Sequence, residues 1–136
     1  MPAVNMVYFK DGKKKVKNII ASLHEFGLMT RGRWEMLVAN EEKEFKAGET
    51  KIIDIVPIKL EHEEICLSCP LQRHGLGVVV AVGARGKPKL VEEERRIDYA
   101  VFTAVEDGKV SKNELLGVVN IFPTLIRIVK TLPSTY

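Results

Sequence analysis

From residue 34 onward the chain alternates apolar and polar positions in the period-two manner of half-buried strands. WEMLVA at 34–39 is followed by the charged NEEKEFKAGE. AGE at 47–49 reads as a turn feeding KIIDIVPIKL, where Ile53 and Ile55 share a face and Ile58 is a further candidate for it. This passage is hairpin-like. LGVVVAVG at 76–83 is a continuous apolar run between glycines, the pattern of a strand buried on both faces, and GARGKPK supplies turn residues after it. IDYAVFTAV at 97–105 is again strand-like, EDGK at 106–109 carries an Asp-Gly hairpin signal, and LLGVVNIF at 115–122 returns. Short strands separated by turns predict a mainly β fold, a barrel or a sandwich.

Two segments depart from that pattern. KKKVKNIIASLHEF at 13–26 puts Val16, Ile19, Ile20, Leu23 and Phe26 at helical spacing with Lys and Glu on the other side, which predicts one N-terminal amphipathic helix. After Pro123, TLIRIVKTL at 124–132 fits a last strand or a short helix, and periodicity does not separate the two. No internal repeat or low-complexity linker divides the chain, so residues 1–136 read as a single domain, long enough to bury its own core.

Composition narrows the classes further. Hydrophobic residues make up 46% and charged residues 29%, as in soluble globular domains. No apolar run approaches the roughly 20 residues that cross a bilayer. The N-terminal MPAVNMVYFKDGKKK lacks the basic-then-apolar order of a secretory signal. A cytoplasmic protein without a membrane partner is expected. Twenty-one Lys and Arg against eighteen Asp and Glu give a formal charge of +3, without the dense basic stripe of a dedicated nucleic-acid binder. The basic clusters are KKKVK at 13–17, RGR at 31–33 and RR at 95–96. The first has no interleaved aromatic residues and reads as a solvated face. Nucleic acid is not expected as a partner.

WEMLVANEEKEFKAGETKII, PLQRHGLGVVVAVG, VEEERRID and VEDGKVSKNELLGVVNIFP, in that order, resemble the archaeal proteins grouped as domain of unknown function 22. The likeness covers about residues 32–123. It implies an archaeal cytoplasmic protein and a domain that occurs singly or in tandem, and it brings no activity with it. The succession of AGETKII, RHGLG, ERRIDYAVF and VSKNELLGVVNI is also similar to the order of blocks in trimeric dUTP pyrophosphatases and other β-clip proteins. Those proteins carry an Arg-Ser-Gly-Leu turn and a late Gly-Asp-Arg-Ile-Ala-Gln strand in comparable places. Arg73, His74, Gly75 and Leu76 would stand at the turn, with His74 replacing the serine. Their early-strand Asp is matched at best by Glu35, and TLIRIVKTLPSTY stands where a Gly-rich phosphate-covering arm would be. The likeness therefore implies a β-clip-like architecture and a homo-oligomer, but not triphosphate hydrolysis.

The chemistry concentrates in HEEICLSCPLQRHG at 62–75. His62, Cys66, Cys69 and His74 are the ligand types of a tetrahedral zinc site, and the two cysteines have the separation of a zinc knuckle. A strong zinc signature brings two such pairs, so two reduced core thiols are the competing reading. His74, between Arg73 and Gly75, is placed to bind an anion or move a proton in a glycine-flanked turn; alternatively it only hydrogen-bonds that turn. VEEERR at 91–96 reads as a salt-bridged edge, and Trp34 as a core or interface anchor. Three functions fit. The first is a non-catalytic small-ligand-binding or assembly module presenting the Arg73, His74, Gly75 turn. The second is an enzyme on a small anionic or nucleotide-like ligand, with His74 as acid or base, Arg73 on the anion, and Glu35 or Asp98 as the carboxylate. The third is a zinc-bearing structural module.

Overall fold

Asp11 and Gly12 both have positive φ, 53° and 74°. A two-residue turn of this kind, the I′ type, matches the twist of an antiparallel ribbon and locks the flanking residues into strands. In the computed structural model, which describes residues 3–20, 24–28, 31–72 and 74–128, that turn joins β1 (Ala3–Lys10) to β2 (Lys13–Ile20), with Lys10 opposite Lys13 and Ala3 opposite Ile20. The amphipathic helix expected over 13–26 is therefore absent: residues 13–20 are strand, 21–23 lie outside the described residues, and β3 (His24–Leu28) follows. The β-branched Val16, Ile19 and Ile20 fit a pleated ribbon as well as a helix, and the Asp-Gly turn decides between them.

The remaining strands are β4 (Arg33–Val38), β5 (Lys43–Phe45), β6 (Thr50–Leu60), β7 (Glu64–Gln72), β8 (Gly77–Gly83), β9 (Arg95–Ala104), β10 (Gly108–Val110) and β11 (Leu115–Ile128). Among the described residues there is no helix, and so none long and apolar enough to cross a membrane. The mainly β expectation holds. The long β11 is central: its first half lies between β4 and β7, and its second half pairs with β3. The segment after Pro123 is thus strand as far as Ile128. A second sheet has the order β6-β9-β8, and β5 pairs with β10 in a short ribbon. None of these sheets closes into a barrel.

The core lies where the two larger sheets meet. Leu37, Leu116 and Ile121 from one and Ile53, Ile55 and Phe102 from the other are almost wholly buried, each contributing about 2 kcal/mol relative to exposure. Ile53, Ile55 and Ile58 do share the inward face, because an irregularity in register between Asp54 and Ile58 restores Ile58 to the core side.

Three further expectations are corrected. The apolar run at 76–83 is not buried on both faces: β8 is the outer strand of its sheet, and Val78 and Val80 are exposed. The Asp-Gly pair at 107–108 does not return the chain alongside β9; Gly108–Val110 pairs with Lys43–Phe45, and β11 joins the other sheet. Likewise β4 and β6 form no hairpin ladder; Ala39, just past β4, makes an isolated bridge to Ile55, although a turn does close at Lys46–Glu49. Trp34 is 61% exposed on β4, its indole N–H donating to Asn120 Oδ1 at 2.8 Å.

Candidate functional site

The chain enters β8 through Gly77, which lies against β9 so closely that a Cβ would meet the carbonyl oxygen of Thr103 at 2.1 Å. His74 builds the corner ahead of it. Its Nδ1 accepts the backbone N–H of Leu76 (3.1 Å), so the ring proton sits on Nε2 and is donated to Glu114 Oε1 (2.8 Å). The ring also stands edge-on to Phe102, with centroids 5.9 Å apart, and only 15% of the side chain is exposed. The His74 bond holds the Glu114 carboxyl below the usual carboxylate range. Both ring nitrogens are thus committed to holding the corner, with no lone pair left for a metal. Gly75 is exposed beside it, and Arg73 lies outside the described residues.

The two cysteines sit on β7, Cys66 in its regular part and Cys69 within the irregular pairing between Ser68 and Gln72. Cys69 is buried and Cys66 packs against the core, where burial pushes its thiol up in pKa and away from the thiolate form that metals and electrophiles require. His62 is exposed, its Nδ1 at 3.0 Å from the carbonyl of Glu92. Among the described residues no three His, Cys, Asp or Glu side chains gather in a set able to hold a metal ion. The zinc set expected from spacing does not assemble, because a strand spreads residues that a knuckle turn would converge.

Glu35 and Asp98 belong to different clusters. Glu35 pairs with Arg33 at 3.1 Å. The Arg33 guanidinium also forks onto the buried Glu64, holding that carboxyl below its ordinary value against the opposing effect of burial. Asp98 lies at the opposite end of β9 from the His74 corner, since β8 and β9 pair from Gly77–Ala104 to Gly83–Tyr99.

Asp98 lies beside a concave feature at this end of the sheet. The chain leaves β8 at Gly83, where a Cβ would meet the Tyr99 hydroxyl at 2.4 Å, and turns at Gly86 with φ of +99°. Between them the Arg85 N–H donates to Asp98 Oδ1 (3.0 Å), its guanidinium pairs with Asp54, and it lies 5.3 Å from the centre of the Tyr99 ring. This anchoring sets the connection 84–94 beside the ends of β6 and β9 and leaves a groove of about 970 Å³. Lys59, Arg85, Lys87, Lys89, Arg95 and Arg96 line it, with Glu94 as its one carboxylate wall residue. Pro57, Leu60, Pro88 and Ile97 supply apolar surface.

The groove keeps an excess of positive charge. Lys59 is held charged by Glu94 at 3.1 Å, and Arg96 reaches Asp98 only at 3.7 Å. Arg95 is half-buried and donates to the carbonyls of Glu93 and Glu64; burial lowers its pKa, yet a guanidinium remains a cation. Among the described residues Lys87 and Lys89 have no carboxylate partner. VEEERR is not one extended edge: residues 91–94 form a turn and the strand begins at Arg95. The groove escapes a search for adjacent cations. Its signal is the alternation of Arg85, Lys87 and Lys89 within turn residues, two strands away in sequence from Lys59.

Fold and site together define a small, layered β module carrying a cationic groove. The chain belongs to the family of the domain of unknown function DUF22, whose model matches residues 3–108 and so includes the N-terminal ribbon. It is similar to an uncharacterized protein of Methanocaldococcus jannaschii, 36% identical over 106 residues, which cover 78% of this chain and 80% of the relative. No solved structure matches.

Proposed function

We propose that the protein is a non-catalytic binding module that takes a small anionic ligand into the groove between the β8–β9 connection and the ends of β6 and β9. The observation that carries this reading is the gathering of six cationic side chains around one carboxylate in a groove of about 970 Å³, within the range of small-ligand sites. Cations this close raise the local anion concentration, and a partly walled groove screens them less than open surface does. Lys87 and Lys89 are the ligand-facing charges, Arg85 is the fixed one, held from behind by Asp54 and Asp98, and the prolines beside them fit an apolar portion of the ligand. The reading moves the anion site away from the Arg73, His74, Gly75 turn and keeps Asp98 as a positioning carboxylate.

Titration calorimetry of the full chain at low ionic strength tests it, with inorganic phosphate, pyrophosphate and citrate as probes. At least one should bind, and K87A/K89A should weaken it tenfold or more, because a charge-assisted hydrogen bond contributes about 1.5 kcal/mol or more. Absence of binding by all three probes, or binding undiminished in the double variant, would overturn the proposal.

A further inference from the structure

The ribbon of β1 and β2 stands apart from the rest. Among the described residues each strand packs substantially only against the other. A two-stranded ribbon by itself is marginally stable in water. This one also exposes apolar residues on one face, Val7 at 48%, Val16 at 55%, Phe9 at 68% and Ile20 at 69%, with Val7 directly opposite Val16 and with Lys14, opposite Phe9, as that face's charged member. The same face carries the Asn18 to Asn5 amide bond at 3.0 Å.

The two outer edges of the ribbon differ in charge. β2 carries Lys13, Lys14, Lys15 and Lys17 along its first five residues, the device by which natural edge strands refuse a partner. β1 carries none from Ala3 to Phe9. The I′ turn makes Lys10 and Lys13 a hydrogen-bonded pair. Counting back from it, the N–H and C=O groups of Ala3, Asn5, Val7 and Phe9 point away from β2, toward an edge that pairs with no strand among the described residues.

We infer that this edge is the dimer contact of the protein: β1 of one copy pairs antiparallel with β1 of a second, about a two-fold axis at Met6. Ala3 then lies opposite Phe9 and Asn5 opposite Val7, and the uncharged stretch overlaps over its whole length. The axis is perpendicular to the sheet, so both copies turn the Val7, Phe9, Val16 and Ile20 face to the same side and double the apolar surface. Charge selects a second copy as the occupant. In the order β2-β1-β1-β2 the lysine edges stand three strand spacings apart, roughly 14 Å, beyond the screening length of about 8 Å at physiological salt. Pairing through β2 would instead set the two lysine sets against each other in neighbouring strands.

Light scattering coupled to size-exclusion chromatography of the full chain, over a hundredfold range of concentration, tests the contact. The parent should approach twice the 15.3 kDa chain mass. V7P, which removes an outward N–H without touching the β1–β2 ladder, and V7K, which places a charge at the edge, should each shift the protein to monomer. K14A on the other edge should leave the dimer in place. Strand content by circular dichroism, measured on every variant, separates loss of pairing from loss of fold. A parent that is monomeric throughout, or a dimer that survives both V7P and V7K in folded protein, would overturn the inference.

Discussion

The corner at His74 and the groove beside Arg85 both place nitrogen donors near the ends of β8 and β9, yet they do opposite things with them. At the corner every donor and acceptor of the imidazole is matched from within: Leu76 N–H on one side, Glu114 on the other, Phe102 against the ring. At the groove the fixed charge, Arg85, is matched from behind, while Lys87 and Lys89 face outward without a carboxylate among the described residues. A satisfied polar group stabilises a fold; an unsatisfied charge excess at an open surface is free to recognise a ligand. The contrast separates a self-satisfied structural corner from the surface proposed to bind more firmly than residue type does, since histidine is the more usual suspect for function.

Three changes break or sharpen that contrast. The largest effect is expected at the corner's base. G77A drives a Cβ into the backbone oxygen of Thr103, 2.1 Å away, which cannot yield without opening the β8–β9 ladder; it should cost 4 kcal/mol or more, on the order of the severest single substitutions, measured by chemical denaturation. H74A leaves the Leu76 N–H without its acceptor and removes the ring from Phe102. It should lower stability by about 3 kcal/mol while leaving anion affinity in calorimetry unchanged; a variant of intact stability that loses the anion would reverse the roles assigned to the two regions.

The smallest change concerns pH and the charged cluster at Glu64, which adjoins the groove through Arg95. Arg33 holds the folded Glu64 carboxyl below its unfolded value. The pair's contribution is therefore complete above the ordinary carboxylate pKa and is lost as pH falls through the depressed folded one. E64Q should be less stable than the parent by about 2 kcal/mol at neutral pH. The difference should close as denaturation is followed from pH 7 to about pH 3.

Much of the β architecture could be read from alternation, because strands such as β4, β6 and β9 bury one face and leave the other half-exposed. The failures share a cause: local pattern does not report which strand becomes the neighbour. Val78 and Val80 read as buried because apolar runs usually are, but β8 lies at an edge. The apolar spacing of Val16, Ile19 and Ile20 suits helix and ribbon alike, and the Asp11-Gly12 pair that resolves it was legible beside it. At the sites, HEEICLSC has the ligand types of a metal site, yet among the described residues no three of them gather. The groove was obscure because its cations come from three segments, with Lys59, Arg85 and Arg96 united only by the pairing of β6, β9 and β8. Asp98, a candidate carboxylate of the ligand site, does not line the groove and instead accepts the Arg85 N–H beside it.

The two sides of the groove differ in how firmly they are held. One belongs to β9, which is laddered on both flanks and opens only with the whole domain; the other is the 84–94 connection, tied down by a few backbone and side-chain bonds. A ligand bound there as proposed would meet a rigid template along one flank and an adjustable one along the other. Such a half-fixed mould would select by charge and breadth and would tolerate variation in the part of the guest that leans on the pliant side.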